Sequence, residues 1–385
     1  MSKRIGKSLA MHGATLVTED AWNAELDGKH ERLVDWLKGH ALAGVLIRRN
    51  ENVAWVTGGA VELRVLTPGE TGVASLLVTA EGKRYYFTTE NEAPRLHDEE
   101  FGKLDFEPVV FPWWADDTAA AAAKLAGGPL VSDMPGVGRA PVNLYSLRAA
   151  LSESEIARYR WLGAQTAEAT VEALNQVEPG MSEYDMEAIT ASGLLRRGIL
   201  PSVALYAVDE RIFDYKHAVP RGRRLKQYGM LNLCSRKWGL AVSITRFIYF
   251  GEMPAELTAG FNAVAHVNAA LLTATRAGET SAELFKVAQL AYAAQGSPGE
   301  ECFHHQGGAT GYGEREWVAK PEGADFVVNN QAFAWNPSIH GAKAEDTVIL
   351  RNGVIENLTA TPELPTLGEA IVEESTYAAA GVLVK

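Results

Sequence analysis

Met230-Leu-Asn-Leu-Cys-Ser-Arg-Lys-Trp-Gly-Leu-Ala-Val-Ser-Ile-Thr-Arg246 reads as two successive strands, Met230–Arg236 and the start of Ala241–Phe250. Strand side chains alternate in direction. Asn232 and Cys234 therefore share one face, and Ser243 and Thr245 share another inward face. A polar pocket lined from strands is the expectation.

Outward from this stretch the chain repeats itself. Upstream, Ser152-x-x-Glu155 is a capping box before a long helix. Ile156, Tyr159, Leu162, Thr166, Ala169, Ala173 and Val177 recur along that helix at the spacing of one buried stripe. It ends at Pro179-Gly180; Ser182-x-x-Asp185 caps the next helix, which stops at Gly198. Downstream, a helix over roughly Ala255–Thr275 ends near Gly278, Ser281 and Glu283 start its successor, and Gly296 stops that one. The two glycine pairs are equally spaced, which marks an internal repeat. A later strand, Asp346–Leu350, turns at the hairpin dipeptide Asn352-Gly353. Two α/β halves with helices outside and strands inside would enclose a pocket at their junction.

The first 150 residues or so are mixed α/β. A helix around Ala24–Gly39 precedes a strand at Gly44–Arg48, and Val73–Val78 with Arg84–Thr88 form a hairpin about the turn Ala80–Lys83. An alanine-rich helix at Asp117–Ala126 and a strand at Pro129–Ser132 follow. Trp113 and Trp114 are expected to pack. The predicted division is 1–151 and 152–385, in an α/β (α+β) chain.

Bulk properties narrow the class. At 385 residues two domains are the default, and 47% hydrophobic with 22% charged residues is ordinary for a soluble globular protein. A net charge of -12 argues against nucleic acid or an acidic membrane surface as partner. Two cysteines, Cys234 and Cys302, give no disulfide framework and suit a reducing cytosol. The basic N-terminal stretch has no apolar run long enough for a signal peptide, and no segment reaches the ~20 apolar residues of a membrane-spanning helix. A cytoplasmic location follows as an expectation.

The 230–246 stretch resembles the paired-strand motif of the pita-bread family that includes methionine aminopeptidase, prolidase and creatinase. In that motif each strand carries a metal-binding Asp, with ten residues intervening; here Asn232 and Ser243 stand at that spacing. His304-His305-Gln-Gly-Gly308 resembles the stretch with the family's His ligand, at His305. Phe333-Ala-Trp-Asn336-Pro337 resembles the strand that normally ends in Glu-Pro, and Gly341–Thr347 the stretch with the fifth ligand, at Glu345. The resemblance runs through Ser152–Lys385; the N-terminal part, with Asn52–Gly58, is similar to the creatinase and prolidase N-terminal domain. It implies a creatinase-like N-terminal α/β domain, then a pita-bread domain with pseudo-two-fold symmetry, in a homodimer.

Four carboxylates and one His have thus become one carboxylate, one His, two amides and a hydroxyl. A pair of divalent ions needs anionic oxygen to offset about four positive charges, so the expectation is no metal and no other cofactor. His217 matches the His that moves the proton in creatinase, which works without metal, and neutral imidazole can do this near pH 7. The resemblance therefore implies a metal-independent hydrolase of a C–N bond in a small polar substrate. His217, His305 and Glu345 would be catalytic, and Asn232, Ser243, Thr245 and Asn336 would bind substrate. Arg64 lies where creatinase presents an arginine to a substrate carboxylate. A non-catalytic binding or scaffold protein and a metal-dependent Xaa-Pro aminopeptidase stay open as alternatives. Cys234 and Ser243 invite a nucleophile story, although a small buried thiol is more often packing.

Overall fold

The computed structural model describes residues 10–11, 14–67, 69–138, 141–372 and 375–385; the basic residues that open the chain lie outside these. The chain divides into two compact units, one of residues 1–158 with 238–240, the other of 159–237 with 241–385. The division falls inside the long Glu153–Gln176 helix.

The first unit is built on a five-stranded mixed sheet, in the order Glu107–Phe111, Arg84–Thr89, Thr71–Thr79, Gly44–Arg49, Leu130–Ser132. The expected hairpin is there, with Val78 opposite Arg84 and Ala74 opposite Thr88. Leu46, Leu77, Tyr85 and Phe87 pack with Ala122 and Ala126 of the Thr118–Ala126 helix. Burying each large apolar side chain of this kind contributes roughly 1.5–3 kcal/mol. The first helix starts at Glu19, five residues before the expected Ala24, because the Thr18 side chain accepts from Ala21 N and Glu19 and Asp20 fill the first turn. Trp113 and Trp114 correct the expectation of packing: both are 69% exposed and meet only edge to face at 5.5 Å.

Inside this unit lies a closed group of charges. Lys29 Nζ donates to Glu25 at 2.6 Å and to Glu155 at 2.8 Å, and Arg158 binds both oxygens of Glu25 at 2.7 and 3.0 Å. Glu155 also closes the capping box, accepting from Ser152 N at 2.7 Å while its own N donates to Ser152 Oγ at 3.2 Å.

The second unit carries the repeat. Its two outer helices, Glu183–Arg196 and Ser281–Ala294, are both 14 residues long and both begin with a complete capping box. The second box is Thr280 with Glu283, so the cap is one residue earlier than Ser281; Thr280 keeps the offset that relates Ser182 to Asp185. Gly180, Gly198, Gly278 and Gly296 all take positive φ, which explains glycine at each equivalent turn. The equivalence extends to the tethers: Gly180 N donates to Leu225 O, and Gly278 N to Val327 O. The second half supplies one four-stranded sheet, and the first half supplies three strands of another, which Val382–Val384 from the end of the chain completes. One runs Val382–Val384, Leu240–Tyr249, Tyr228–Lys237, Leu200–Val208; the other Gly307–Thr310, Gln331–Trp335, Asp346–Arg351, Val354–Asn357. Asn352 and Gly353 turn with positive φ, as the hairpin dipeptide requires.

Candidate functional site

Alternation along Tyr228–Lys237 decides what faces the pocket. Leu231, with Ile248 of the next strand, packs against Leu174, Val177 and Met186, so Asn232 and Cys234 point the other way. The two strands meet across that face: Asn232 Nδ2 donates to Thr245 Oγ1 at 2.6 Å, and Cys234 Sγ lies 3.0 Å from Ser243 Oγ. This corrects the expectation of two separate inward faces. All four residues share one face, because the tight Trp238-Gly239 turn, both residues at positive φ, sets Asn232 opposite Thr245.

Glu345 is the hub. Its Oε2 accepts from Thr245 Oγ1 at 2.5 Å and from Asn232 Nδ2 at 2.6 Å, and the Lys343 ammonium stands 3.0 Å away. Its Oε1 takes Arg315 Nη2 at 3.0 Å, while Arg315 Nη1 reaches Ser243 Oγ, also at 3.0 Å. Burial alone would raise the Glu345 carboxyl. The Lys343 and Arg315 charges, with the hydrogen bonds from Thr245 and Lys343, reverse that and hold it at about 2. The hub is therefore ionised near neutrality, with two cations around one carboxylate.

Three imidazoles gather beside it. His217 Nε2 and His304 Nε2 are 2.9 Å apart, and the His304 and His305 rings stack with centroids 4.5 Å apart. His305 Nδ1 accepts from Gly307 N at 3.2 Å. Burial lowers all three. Lys343 adds to the effect on His217 and on His304, which falls to about 2; Arg315 and then Lys343 add to it on His305, which falls to about 4. At neutral pH the cluster is uncharged. Its backbone is held from behind: Tyr292 OH donates to Gln306 Oε1 at 2.7 Å and accepts from Ser338 N at 2.8 Å, while Asn336 N donates to Gln306 O at 3.0 Å.

The structure thus brings Asn232, Thr245, Ser243 and Glu345 into one hydrogen-bonded network, and His305 into a second cluster with His217. His305 makes no direct hydrogen bond with Glu345. Asn336 is buried next to Gln306, with Oδ1 lacking a hydrogen-bond partner. Arg64 belongs to the first unit, where its guanidinium binds Glu62 at 2.5 Å. The thiol of Cys234 is pushed up to about 11 by burial, which removes the thiolate that nucleophilic attack needs. Ser243 Oγ has Cys234 and Arg315 as neighbours and no imidazole to take its proton.

Sequence reasoning missed Arg315, Lys343 and His304. Lys343 had a readable signal: it stands two residues before Glu345 in an extended stretch, on the same face. A separate cavity of about 360 Å³, walled by Phe213, Tyr228, Tyr249, Leu257 and His340, includes none of these residues.

The chain belongs to metallopeptidase family M24, whose model matches residues 157–352, and the creatinase/prolidase N-terminal domain matches residues 29–134. It is accordingly a homologue of peptidases within that family of hydrolases. No curated protein matches the chain. Among solved structures it is similar to the dipeptidase PepE from Mycobacterium ulcerans, 17% identical over 88% of this chain and 96% of that one, with a TM-score of 0.72. The Xaa-Pro dipeptidase from Bacillus anthracis is 16% identical over 94% and 100%, with a TM-score of 0.71. The N-terminal domain of FACT complex subunit SPT16 from Eremothecium gossypii is 11% identical over 88% and 96%, with a TM-score of 0.62. At these identities the likeness carries the fold alone. Among the described residues no helix is long and apolar enough to cross a membrane.

Proposed function

We propose that this chain is a metal-independent hydrolase that cleaves a C–N bond in a small polar substrate, with His217 as general acid and base. One observation carries the metal independence: Glu345 is clasped by Lys343, Arg315, Asn232 and Thr245, so fixed cations and N–H and O–H donors converge on the carboxylate. Asn232 turns its amide N–H toward Glu345, and Ser243 accepts from Arg315, which leaves neither with the anionic oxygen a divalent pair requires. The donor set does not fit two metal ions. Arg315 and Lys343 supply the positive charge instead, and would stabilise the oxyanion that forms when water adds to the scissile carbon. His217 takes the proton from that water and returns it to the departing nitrogen, so protons balance over the cycle. Asn336 Oδ1 offers a buried acceptor for a substrate N–H. The reading includes a homodimer in the cytoplasm, acting on a small molecule rather than on nucleic acid or a membrane; sedimentation equilibrium tests the dimer.

The Xaa-Pro dipeptidase among the similar structures keeps a peptide C–N bond as the second candidate substrate class. Two measurements separate the readings. Elemental analysis of gel-filtered protein should find well under two equivalents of Mn, Co, Zn or Fe per chain, and chelation should not reduce hydrolysis of the substrate found by screening small amides and amidines. Two equivalents, or loss of turnover on chelation, returns the chain to the metal-dependent class. No turnover on any such compound would favour a binding protein.

The pH profile tests His217 itself. A base must be neutral to accept a proton, so turnover falls as pH drops through the His217 pKa. Burial and then Lys343 place that value below the ordinary 6.5, so the acid limb should lie below pH 6.5. The limb should disappear in the residual activity of His217→Asn; a limb that persists there would assign it to another group.

A further inference from the structure

We propose that His217, His304 and His305 form a binding site for one borderline divalent ion, such as Zn(II), Ni(II) or Co(II). Each ring offers a nitrogen, and these atoms all lie within 4.8 Å of one another. It is the one such group of three His, Cys, Asp or Glu side chains among the described residues. The site contains none of the carboxylates of a bridged metal pair and differs from one in stoichiometry and ion preference.

The chemistry of the donors fixes the class of ion. Imidazole nitrogen suits Zn, Ni, Co and Cu, whereas Mg, Ca and Mn favour oxygen. Metal–nitrogen bonds of about 2.0–2.1 Å place tetrahedral ligand atoms ~3.3 Å apart. The span from the 2.9 Å His217–His304 contact to the 4.8 Å limit brackets that value, so small ring rotations complete three ligands and leave a fourth position for water. His304 can turn at little cost on one side, since its Nδ1 is buried without a hydrogen-bond partner. The segment that carries two of the rings is already ordered by Tyr292, Gln306 and the Gly307 N–H. The same rings feel Lys343 and Arg315, whose charges oppose a cation. Affinity is thereby set below that of a closed structural zinc site and is adjustable through Lys343.

A bound ion would occupy the His217 lone pair, so it would also stop proton transfer. That consequence rests on the role proposed above for His217; the site itself does not.

The test is a Co(II) titration of protein stripped with a chelator and exchanged into metal-free buffer, followed by visible absorption. One equivalent per chain should bring up the intense bands of four-coordinate cobalt, and Zn(II) should displace them while Mg(II) does not. His304→Ala and, independently, His217→Asn should each weaken binding about a hundredfold or more, since even the groups that only orient a ligand cost 10–100-fold. Lys343→Met should tighten it by roughly tenfold, because a unit charge near the ion is removed. Circular dichroism of each variant separates loss of ligand from loss of fold. Absence of the bands, or binding indifferent to both histidine substitutions in folded protein, overturns the site and leaves the acid–base reading standing. Bands with unchanged turnover of the loaded protein sink the role of His217 and leave the site.

Discussion

Glu155→Gln should cost the first unit about 3–5 kcal/mol, the range for removing one partner from a buried ion group. Four charges, Glu25, Lys29, Glu155 and Arg158, lie out of contact with water and cancel in sum. Gln is nearly isosteric with Glu and can still complete the Ser152 capping box, so the substitution isolates the charge. It leaves two buried cations facing one carboxylate. The paired change Lys29→Met with Glu155→Leu should cost much less, because Arg158 and Glu25 remain matched. Urea titration of each variant decides; a loss under about 1 kcal/mol for Glu155→Gln, typical of an exposed pair, would refute it.

The same group makes stability fall in acid. Burial would raise the Glu155 carboxyl, but Lys29 and Arg158, with hydrogen bonds from Lys29 and the Ser152 N–H, hold it below its ordinary 4.5. A folded-state value below the unfolded one gives stability that is present above about pH 4.5 and is lost progressively below it. Melts of wild type and Glu155→Gln should converge as pH falls through that window, since the difference between them is the ionised carboxylate.

Much of the fold was legible because its signals are local. The capping boxes at Ser152 and Ser182 need four consecutive residues, and positive φ at Gly180, Gly198, Gly278 and Gly296 follows from glycine itself. The register of Asn232 against Thr245 was less legible, since it depends on whether Trp238 adopts positive φ, which a tryptophan seldom does. The site was read through positions where ligands were expected, and that left out what had filled the space. Arg315 sits between Glu314 and Glu316 in a loop, a pattern that reads as a solvated charge run. Only the tertiary fold carries its guanidinium to Ser243 and Glu345, far away in sequence. The resemblance implies that His305 and Glu345 act together with His217, yet the rings beside His305 are those of His304 and His217.

Restoring acidic ligands with Asn232→Asp, Ser243→Asp and Asn336→Glu should turn the pocket into a metal-dependent element of stability. With Lys343 and Arg315 against Glu345, the present pocket carries one net positive charge. One added carboxylate neutralises it; the second and third do not find a partner. The Asn232 position is the most exposed to this effect, because its Nδ2 now lies 2.6 Å from Glu345 Oε2, where a carboxylate oxygen would replace a donor by a like charge. At ~4 Å and an effective dielectric of about 20, each close pair of like charges costs roughly 4 kcal/mol. The triple variant should therefore melt well below wild type in chelator, and recover when Mn(II) or Zn(II) is added, since a ligand that binds only the folded state stabilises it. The retained cations limit that recovery, so adding Lys343→Met should widen the gap between melts with and without metal. Native hydrolysis should slow in the triple variant even when metal is bound, because the added carboxylates would oppose the developing oxyanion and offset the Arg315 and Lys343 charges proposed to stabilise it. Thermal melts with and without metal check the first part and turnover the second. A melting temperature indifferent to metal would mean that these three positions do not converge on one ion site.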